Sequence, residues 1–497
     1  MTSSNLRLVP TRTIDRRRFL AISATSIVAA GSAARWAPRS AAAQTTDSVV
    51  TSDNGTFLNP AIVHTLAVTF DQTDYEAMID TYSSTGDKEW ISASVTIDGT
   101  TYDEVGLRLK GNSSLMGLRS GGNGGGGMGG GMNSDVSADS PQSLPWLIRF
   151  DKNIDDQSHD GLFQLVIRSS NSETALNEAV ALNLLTEAGL ASQLAAYTAF
   201  SINGSEEVLR LAIENPKEPW MAAHFSADGL LYKSEAEGDW SYRGDDPTSY
   251  VDVFDLEAGD HGSDEENFTP LTSFLDFINT SDDETFAAEL ADRLDVDGFA
   301  TYLAMMDLVA NTDDIDGPGN NSYLYADPDT EQMTVVPWDL NLAFSGGFGG
   351  GGQMGGGQMG RQPGGTTVDG ATPVAGTNGG TFPGGGQLPT TGGTPVAEAD
   401  GSAFPEGGQM PTGDSTRGGG FGGQSNPLVT RFTANTDFSG LVTDATTTLQ
   451  SELYAGGVAA EILARWVAVL EDGATAYVDS ATITSESESI ASFFTGS

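Results

Sequence analysis

The sequence predicts an α+β fold in which a β-rich region comes first and a mostly helical region follows. Two observations lead to this prediction. Residues 62–110 alternate apolar and polar side chains in short runs, which is typical of strands. Residues 269–285, 295–310 and 427–495 instead place apolar side chains three and four positions apart, which is typical of helices.

The β-rich region is predicted to contain several strands and one helix. The runs HTLAVTF, ISASVTIDG and EVGLRLKG suggest a β-meander with a hairpin turn at Asp98 and Gly99. Further strands are predicted at PWLIRF, LFQLVIRSS, AAYTAFSING and GLLYKSE. A helix is expected from about Glu173 to Ala188, and Gly189 would end it. In the helical region, NSYLYAD and QMTVVPWDL predict one strand pair.

Two segments of low complexity interrupt this pattern. Residues 119–140 contain GGNGGGGMGGGM, and residues 346–425 are rich in Gly, Gln, Pro and Thr. Because such segments bury too little apolar surface to offset the entropy of ordering, we predict that both are disordered loops.

The N-terminus predicts export by the twin-arginine route. Arg16, Arg17 and Arg18 precede a short apolar stretch and a small-residue cleavage site at Ala41-Ala42-Ala43, so residues 1–43 are expected to be a signal peptide. A short membrane anchor that is kept is the alternative. No other segment reaches the about 20 apolar residues of a transmembrane helix, so none is expected in the mature chain. We therefore expect an extracellular or cell-surface protein.

Charge and cysteine content exclude several classes of function. The formal net charge of −45 argues against a nucleic-acid-binding protein and favours basic partners, although acidity can also serve solubility alone. The absence of cysteine excludes disulfides, thiolate catalysis and cysteine-bound metals.

Three polar segments are candidates for a functional site. The first is RLKGNSS, where Arg108 and Lys110 end a strand next to Gly, Asn and Ser, a combination that suits phosphate groups. The second is NTDDIDGPGNN, where Asp313 precedes Asn321 by eight positions after a long helix. In this layout an aspartate accepts a hydroxyl proton and an asparagine binds magnesium. A calcium loop fails, because Thr312 and Tyr323 would stand where acidic ligands are needed.

The third segment is PWDLNLAF, in which Asp339 interrupts an apolar strand end. Such a placement is costly unless the carboxylate is paired or bound to metal. Asp339 and Asn321 are therefore candidates to hold one magnesium ion through oxygen atoms. A solvated acidic loop and an aspartate that caps a turn remain the structural alternatives for the second and third segments.

Taken together, these segments resemble the CotH family of spore-coat and surface protein kinases. The resemblance rests on RLKGNSS, the N-x-D turn after a long helix, Asn321 followed by SYLYAD, and PWDLNLAF. It covers about residues 60–345 and resumes at residue 426. It implies a divergent protein-kinase-like fold that uses ATP and magnesium to phosphorylate serine-rich proteins. On this basis residues 44–345 and 426–497 form the kinase domain, with an N-lobe at about 60–235 and a C-lobe at about 236–497.

The resemblance also implies roles for individual residues. Asp313 matches the catalytic aspartate, and Asn321 and Asp339 match the metal ligands. The residues expected near the nucleotide are Arg108, Lys110, Asn112, Ser113, Arg149 and Lys233. Where the family usually has two lysines in a K-x-K-F strand, this chain has Leu147 and Arg149, which implies altered nucleotide binding because arginine does not replace a point-charge lysine.

Two functions follow as hypotheses. The first is an exported kinase-like enzyme that transfers the γ-phosphoryl group of ATP to Ser or Thr of a basic, Ser-rich secreted protein. The second is a non-catalytic surface, adhesion or coat module that keeps the fold. Export favours the second, because ATP is scarce outside the membrane, whereas Asp313, Asn321 and Asp339 favour the first.

Overall fold

A computed structural model describes residues 57–118, 136–236, 238–317, 320–345 and 426–495, apart from the side chains of Ser113 and Met116. The predicted signal peptide at 1–43 and the insertion at 346–425 lie outside these residues, as does most of the first glycine-rich loop. Residues 136–140, which we predicted to belong to that loop, instead form an ordered turn closed by a bridge between Ser137 and Ser140.

The β-rich region forms a closed barrel of seven strands. In order around the barrel, the strands are β1-β2-β3-β4-β5-β7-β6, and a parallel pairing of β1 with β6 closes it. Their bounds are β1 Val63–Phe70, β2 Ile91–Ile97, β3 Thr100–Leu109, β4 Trp146–Arg149, β5 Gln164–Ile167, β6 Ala195–Ile202 and β7 Val208–Glu214. The α+β prediction is confirmed at this level. The closed barrel, however, is not the kinase-like N-lobe that the resemblance implied.

A helix interrupts the predicted β-meander. Helix α1 (Gln72–Thr85) follows β1, and the side chain of Asp71 caps it by accepting hydrogen bonds from the amides of Thr73 and Asp74. Gly86 ends the helix with a left-handed φ of 89°, a conformation that costs glycine little. The predicted meander is present, since β1, β2 and β3 are consecutive antiparallel neighbours, but the helix in its first connection was not predicted.

A second sheet of four antiparallel strands has the order β11-β10-β8-β9. Strand β8 with Lys233 belongs to this sheet and not to the barrel. The predicted pair of NSYLYAD and QMTVVPWDL is confirmed as β10 and β11, which pair with Ser322 opposite Pro337. The bounds are β8 Leu230–Ser234, β9 Phe254–Ala258, β10 Ser322–Ala326 and β11 Met333–Pro337.

The remaining helices surround the second sheet and one side of the barrel. Those predicted before residue 310 and after residue 426 are present. The bounds are α2 Leu176–Glu187, α3 Glu218–His224, α4 Asp264–Thr280, α5 Asp283–Glu289, α6 Val296–Leu308, α7 Pro427–Ala434, α8 Thr436–Leu449, α9 Val458–Gly473 and α10 Ser480–Thr495.

Three apolar clusters hold these elements together. One fills the barrel, where Trp146 and Ile148 of β4 are fully buried. The largest packs the helices, α2 included, against one face of the second sheet. The third joins Leu147 and Val166, from the outer face of β4 and β5, to Tyr323 on the other face of that sheet. Because side chains alternate along a strand, the barrel wall packs on both sides.

No single helix among the described residues has the length and apolarity needed to cross a membrane. One bent pair, Thr436–Ala455 with Val458–Gly473, meets those criteria only when its two parts are taken together.

Candidate functional site

Charged side chains line the space between the outer face of the barrel and the second sheet. We call this place the charged cleft. It combines five cations with three carboxylates that act on one another electrostatically: Lys88, Arg108, Lys110, Lys217, Lys233, Glu235, Asp255 and Glu257.

The alternation of β3 places Arg108 and Lys110 in the cleft. Leu107 and Leu109 point into the barrel and are fully buried. The residues between and after them therefore point outward. The Arg108 guanidinium lies 4.8 Å from the centre of the Trp90 ring, and the Lys110 Nζ lies 5.7 Å from the centre of the Trp338 ring. Arg108 and Lys110 of the first predicted motif thus face the second sheet.

Burial of the cations shifts their pKa values. Burial lowers the pKa of Lys110 to about 8, although Glu257 opposes the shift. The pKa of Lys88 is lowered too, by burial first and by the nearby Arg108 second. An anion that enters such a site raises the lowered pKa values of the cations and so favours their charged forms.

The carboxylates lie on the second sheet and partly neutralise these cations. Lys233 pairs with Glu235 at 2.8 Å, and Lys217 pairs with Glu257. Burial alone would raise the pKa of Glu257, but Lys217 and other lysines lower it overall. Partial burial and the neighbouring acid Glu235 raise the pKa of Asp255 to about 6.

Two polar atoms of the cleft have no hydrogen-bond partner among the described residues. One is the hydroxyl of Tyr323, which is fully buried on β10. The other is Nε of Arg108. Burial raises the pKa of Tyr323 well above its usual value, and the nearby carboxylates add to the shift. Because buried polar groups are normally bonded, these two donors indicate room for an acceptor such as a phosphate oxygen.

Asp339 lies at the other predicted part of the site, two residues after β11. Its backbone is left-handed, with φ 58° and ψ 67°, and its side chain is 26 % exposed. The Arg168 guanidinium bonds both Asp339 and Glu178 of α2. Arg168 also lies 5.9 Å from the Trp338 ring that Lys110 contacts. The third predicted motif therefore borders the charged cleft.

The pairing of β10 with β11 brings Asn321 and Asp339 to one end of the sheet. Ser322 is opposite Pro337, so the residues just before β10 and just after β11 are neighbours. The Asn321 side-chain amide donates to the carbonyl of Asp313 at 2.9 Å, which fixes the loop between α6 and β10. Asp313 itself is half-buried.

Hydrogen bonds hold the part of the loop between α6 and β10 that precedes Gly317. Asp314 accepts a hydrogen bond from the amide of Asp316, and Asp316 accepts one from the amide of Asn426. A Cβ on Gly317 would lie 2.6 Å from the Cα of Asp313. Only glycine therefore fits here without moving the candidate catalytic aspartate.

Three predicted nucleotide-binding residues lie at the edge of the cleft or outside the described side chains. Arg149 is already paired with Asp151 at 2.8 Å and is more exposed than Arg168. Asn112 is exposed, and the side chain of Ser113 is outside the described part of the chain. Leu147, which stands where the family usually has a lysine, is buried in the apolar cluster beneath the second sheet.

A magnesium ion fits the residues present at Asp339. Asp339 and Asn321 supply hard oxygen atoms, the ligand type that magnesium prefers. Among the described residues there is no cluster of three or more acidic or histidine side chains that suits a metal. In phosphoryl-transfer sites magnesium usually takes one or two protein ligands and completes its shell with phosphate oxygens and water.

Several residues of the site were missed in the sequence. Glu178 had a visible signal, since it is the one charged residue in the first turns of α2, LNEAVALNLL, which are mostly apolar. Arg168 follows an apolar strand in the same way. The carboxylates of the cleft had no such signal, because the chain contains 68 acidic residues.

Comparison with known proteins identifies the family of this chain. The model of the family described as CotH kinase protein matches residues 107–371. The chain is also 26 % identical over 176 residues to the inner spore coat protein H of Bacillus subtilis (strain 168), over 33 % of this chain and 45 % of that protein. The chain thus matches less than half the length of this relative. Because the family model covers more than half of the chain, the protein belongs to the CotH kinase family.

Proposed function

We propose that this protein is an exported kinase that transfers the γ-phosphoryl group of ATP, with magnesium, to Ser or Thr of a secreted or surface protein. The observation that supports it most is the charged cleft next to Asp339, with two unbonded donors buried inside it. The name of the relative, a spore coat protein, suggests a coat or surface location. The N-terminal sequence suggests the twin-arginine route.

The cations of the cleft would hold the phosphates. Arg108 and Lys110 line the cleft from the barrel side and Lys233 lines it from the second sheet, and the Tyr323 hydroxyl adds a neutral donor. Binding of a polyanion would draw lysines away from Glu257 and Glu235, and the lowered pKa values of these two carboxylates would then rise. These residues bind and orient the nucleotide, which is the main task in phosphoryl transfer.

The two aspartates would divide the remaining work. Asp339 and Asn321 would hold magnesium, which neutralises charge on the phosphate oxygens when it is bound. Asp313 would accept the proton of the substrate hydroxyl. The hydroxyl oxygen would bond to the γ-phosphorus while the bond between the γ-phosphorus and the β-phosphate oxygen breaks. The hydrogen bond from the Asn321 side chain to the Asp313 carbonyl holds these two residues next to each other.

The pair of Arg168 and Glu178 supports the kinase proposal independently. Protein kinases need an ion pair between a strand cation and a helix glutamate beside the metal-binding aspartate. Here Arg168 follows β5, Glu178 is on α2, and both lie at Asp339. An arginine in place of the lysine retains the charge and adds a second, bidentate contact.

The acidic surface favours a basic substrate. A net charge of −45 attracts cationic segments, and it raises the rate of encounter at low ionic strength. A basic, Ser-rich protein is therefore the partner we propose, and nucleic acid is not.

A non-catalytic surface or coat module is the second candidate. It is favoured by the ion pairs Lys233–Glu235, Lys217–Glu257 and Arg149–Asp151, which neutralise much of the site in the absence of ligand. A module that only keeps the fold needs no nucleotide to stabilise such a cleft.

Thermal stability separates the two candidates. A kinase site that binds ATP with magnesium raises the free energy of unfolding by about 2.7 kcal/mol at a hundred times Kd. Differential scanning fluorimetry with ATP and MgCl2 above about 1 mM, the upper end of ordinary KM values, measures this shift. No shift with any divalent metal favours the structural module.

A further inference from the structure

The proposed metal ligand Asp339 has a cationic partner. Arg168 donates through Nη2 to Oδ1 of Asp339. The same guanidinium donates through Nε to Glu178 at 3.0 Å, and its Nη2 lies 2.9 Å from the other oxygen of Glu178. One arginine therefore serves two carboxylates.

The two carboxylates differ in how far they are open to solvent. Glu178 is 2 % exposed and Arg168 is 8 % exposed, so their pair is shielded from water. The Asp339 side chain is 26 % exposed. A ligand that enters the cleft can therefore reach the contact between Arg168 and Asp339, and Asp339 is the partner that such a ligand can displace.

Helix α2 fixes the backbone around Asp339 while this exchange occurs. Asn177, the residue before Glu178, donates to the carbonyls of Asn341 at 2.7 Å and Ala343 at 3.2 Å. The turn after Asp339 is therefore held at two points, so a change of partner requires only a side-chain movement.

We propose that Arg168 is a positioning residue that controls access of the divalent cation to Asp339. Without nucleotide, Arg168 neutralises the Asp339 carboxylate and keeps the cation affinity low. A phosphate group in the cleft competes for the exposed side of the guanidinium, while Glu178 retains the other side. Asp339 is then released to bind the cation. The proposal rests on the proposed function, because it takes Asp339 as the metal ligand.

This exchange links the two ligands thermodynamically. A nucleotide that frees Asp339 raises the affinity for the cation, and the cation must raise the affinity for the nucleotide by the same factor. Binding of the nucleotide alone leaves the Asp339 carboxylate without its cationic partner, which is unfavourable. Each ligand would therefore favour binding of the other, and the cation alone would bind only weakly.

Terbium luminescence provides the test without any measurement of activity. Tb³⁺ binds oxygen ligands as other hard cations do, and Trp338 is next to Asp339 and can sensitise its emission. The emission that remains in Asp339→Ala comes from Tb³⁺ bound elsewhere on the acidic surface, and it is subtracted. The affinities of the variants are compared in the absence of nucleotide.

Two variants should shift the affinity in opposite directions. Arg168→Met frees Asp339, and we expect Tb³⁺ to bind about ten-fold more tightly, the value of one charge-assisted hydrogen bond. Glu178→Gln leaves the whole guanidinium to Asp339, and we expect binding about three-fold weaker, from part of such a bond. General damage to the fold would weaken both.

Arg293→Met is the matched control, because its guanidinium also pairs with a glutamate, Glu289 at 3.3 Å, but contacts neither Asp339 nor Glu178. We expect its effect to stay below about two-fold, as for an exposed, screened charge. If Arg168→Met does not fold, Arg168→Lys replaces it. A lysine cannot bridge two carboxylates, so a smaller rise is expected.

The proposal is overturned if the wild-type protein binds Tb³⁺ as tightly as Arg168→Met, or if both variants move in the same direction. The proposed function stands in those cases. If no Asp339-dependent signal appears even with a non-hydrolysable ATP analogue, the metal site is wrong, and the proposed function fails together with this proposal.

Discussion

The inner and outer faces of the barrel wall formed by β3, β4 and β5 have opposite chemistry. Leu107, Leu109 and Ile148 point inward and are fully buried in an apolar cluster. Arg108 and Lys110, on the same strand as the two leucines, point outward into the charged cleft. The inner face needs only apolar side chains that fill space. The outer face retains buried charges with unbonded donors, which stability alone does not explain.

The inner face should account for most of the stability of the barrel. Trp146→Ala removes a fully buried indole and its hydrogen bond to the carbonyl of Pro141. We expect the free energy of unfolding to fall by about 3–5 kcal/mol. Urea unfolding followed by circular dichroism measures the loss. A loss below about 1 kcal/mol would show that the interior is not closely packed.

Gly317→Ala tests how closely the backbone is packed on the cleft side. The added Cβ meets three backbone atoms of residues 312–314 at 2.6–2.7 Å, so the loop has to move. We expect a cost of about 1–3 kcal/mol, as for overpacking, and a displaced Asp313. Phosphotransfer should fall far more than stability. Full transfer activity in this variant would argue against Asp313 as the catalytic residue.

The charge of Lys110 should make nucleotide affinity depend on pH. Its pKa of about 8 means that the amine is charged at pH 7 and largely neutral at pH 9. Because an anion binds the charged form, we expect affinity to fall about ten-fold over that interval. Lys110→Arg stays charged and should flatten the profile. An equally steep profile in this variant would assign the pH dependence to another group.

Arg108→Met should give the smallest change in stability, and any change should be a gain instead of a loss. Burial lowers the pKa of Arg108, and its Nε is unbonded, so the folded protein tolerates this charge at a cost. We expect the methionine variant to be as stable as the wild type or about 1 kcal/mol more stable, with weaker nucleotide binding. Thermal melts and nucleotide titrations of the same preparation check both parts. A clear loss of stability would mean that Arg108 is structural.

Sequence patterns predicted local structure well and long-range pairing poorly. Alternation predicted strands such as β4 and β5, and helical spacing predicted α2 and α6. Closure of the barrel depends on β1 pairing with β6 about 130 residues away, and no local pattern specifies such a pair. For the same reason, the sheet position of Lys233 was not predicted.

The candidate site was predictable only where polar residues interrupt an apolar segment. Asp339 and Arg108 were recognised in this way, and both border the charged cleft. Glu178 had the same signal within an apolar helix and was overlooked, because one acid on a helix is usually solvated. Its partnership with Arg168 depends on tertiary packing between α2 and β5.

The central claim is that Asp339 holds the metal and Asp313 meets the substrate hydroxyl. It is tested most directly by ATP binding and phosphotransfer to a basic, Ser-rich protein, measured side by side for Asp339→Ala and Asp313→Asn. We predict that Asp339→Ala abolishes both magnesium-dependent binding and transfer. Asp313→Asn should keep nucleotide binding and lose about 10²–10⁴-fold in transfer rate, as for a general base. Transfer at the wild-type rate in Asp313→Asn, or unchanged magnesium-dependent binding in Asp339→Ala, would contradict the claim.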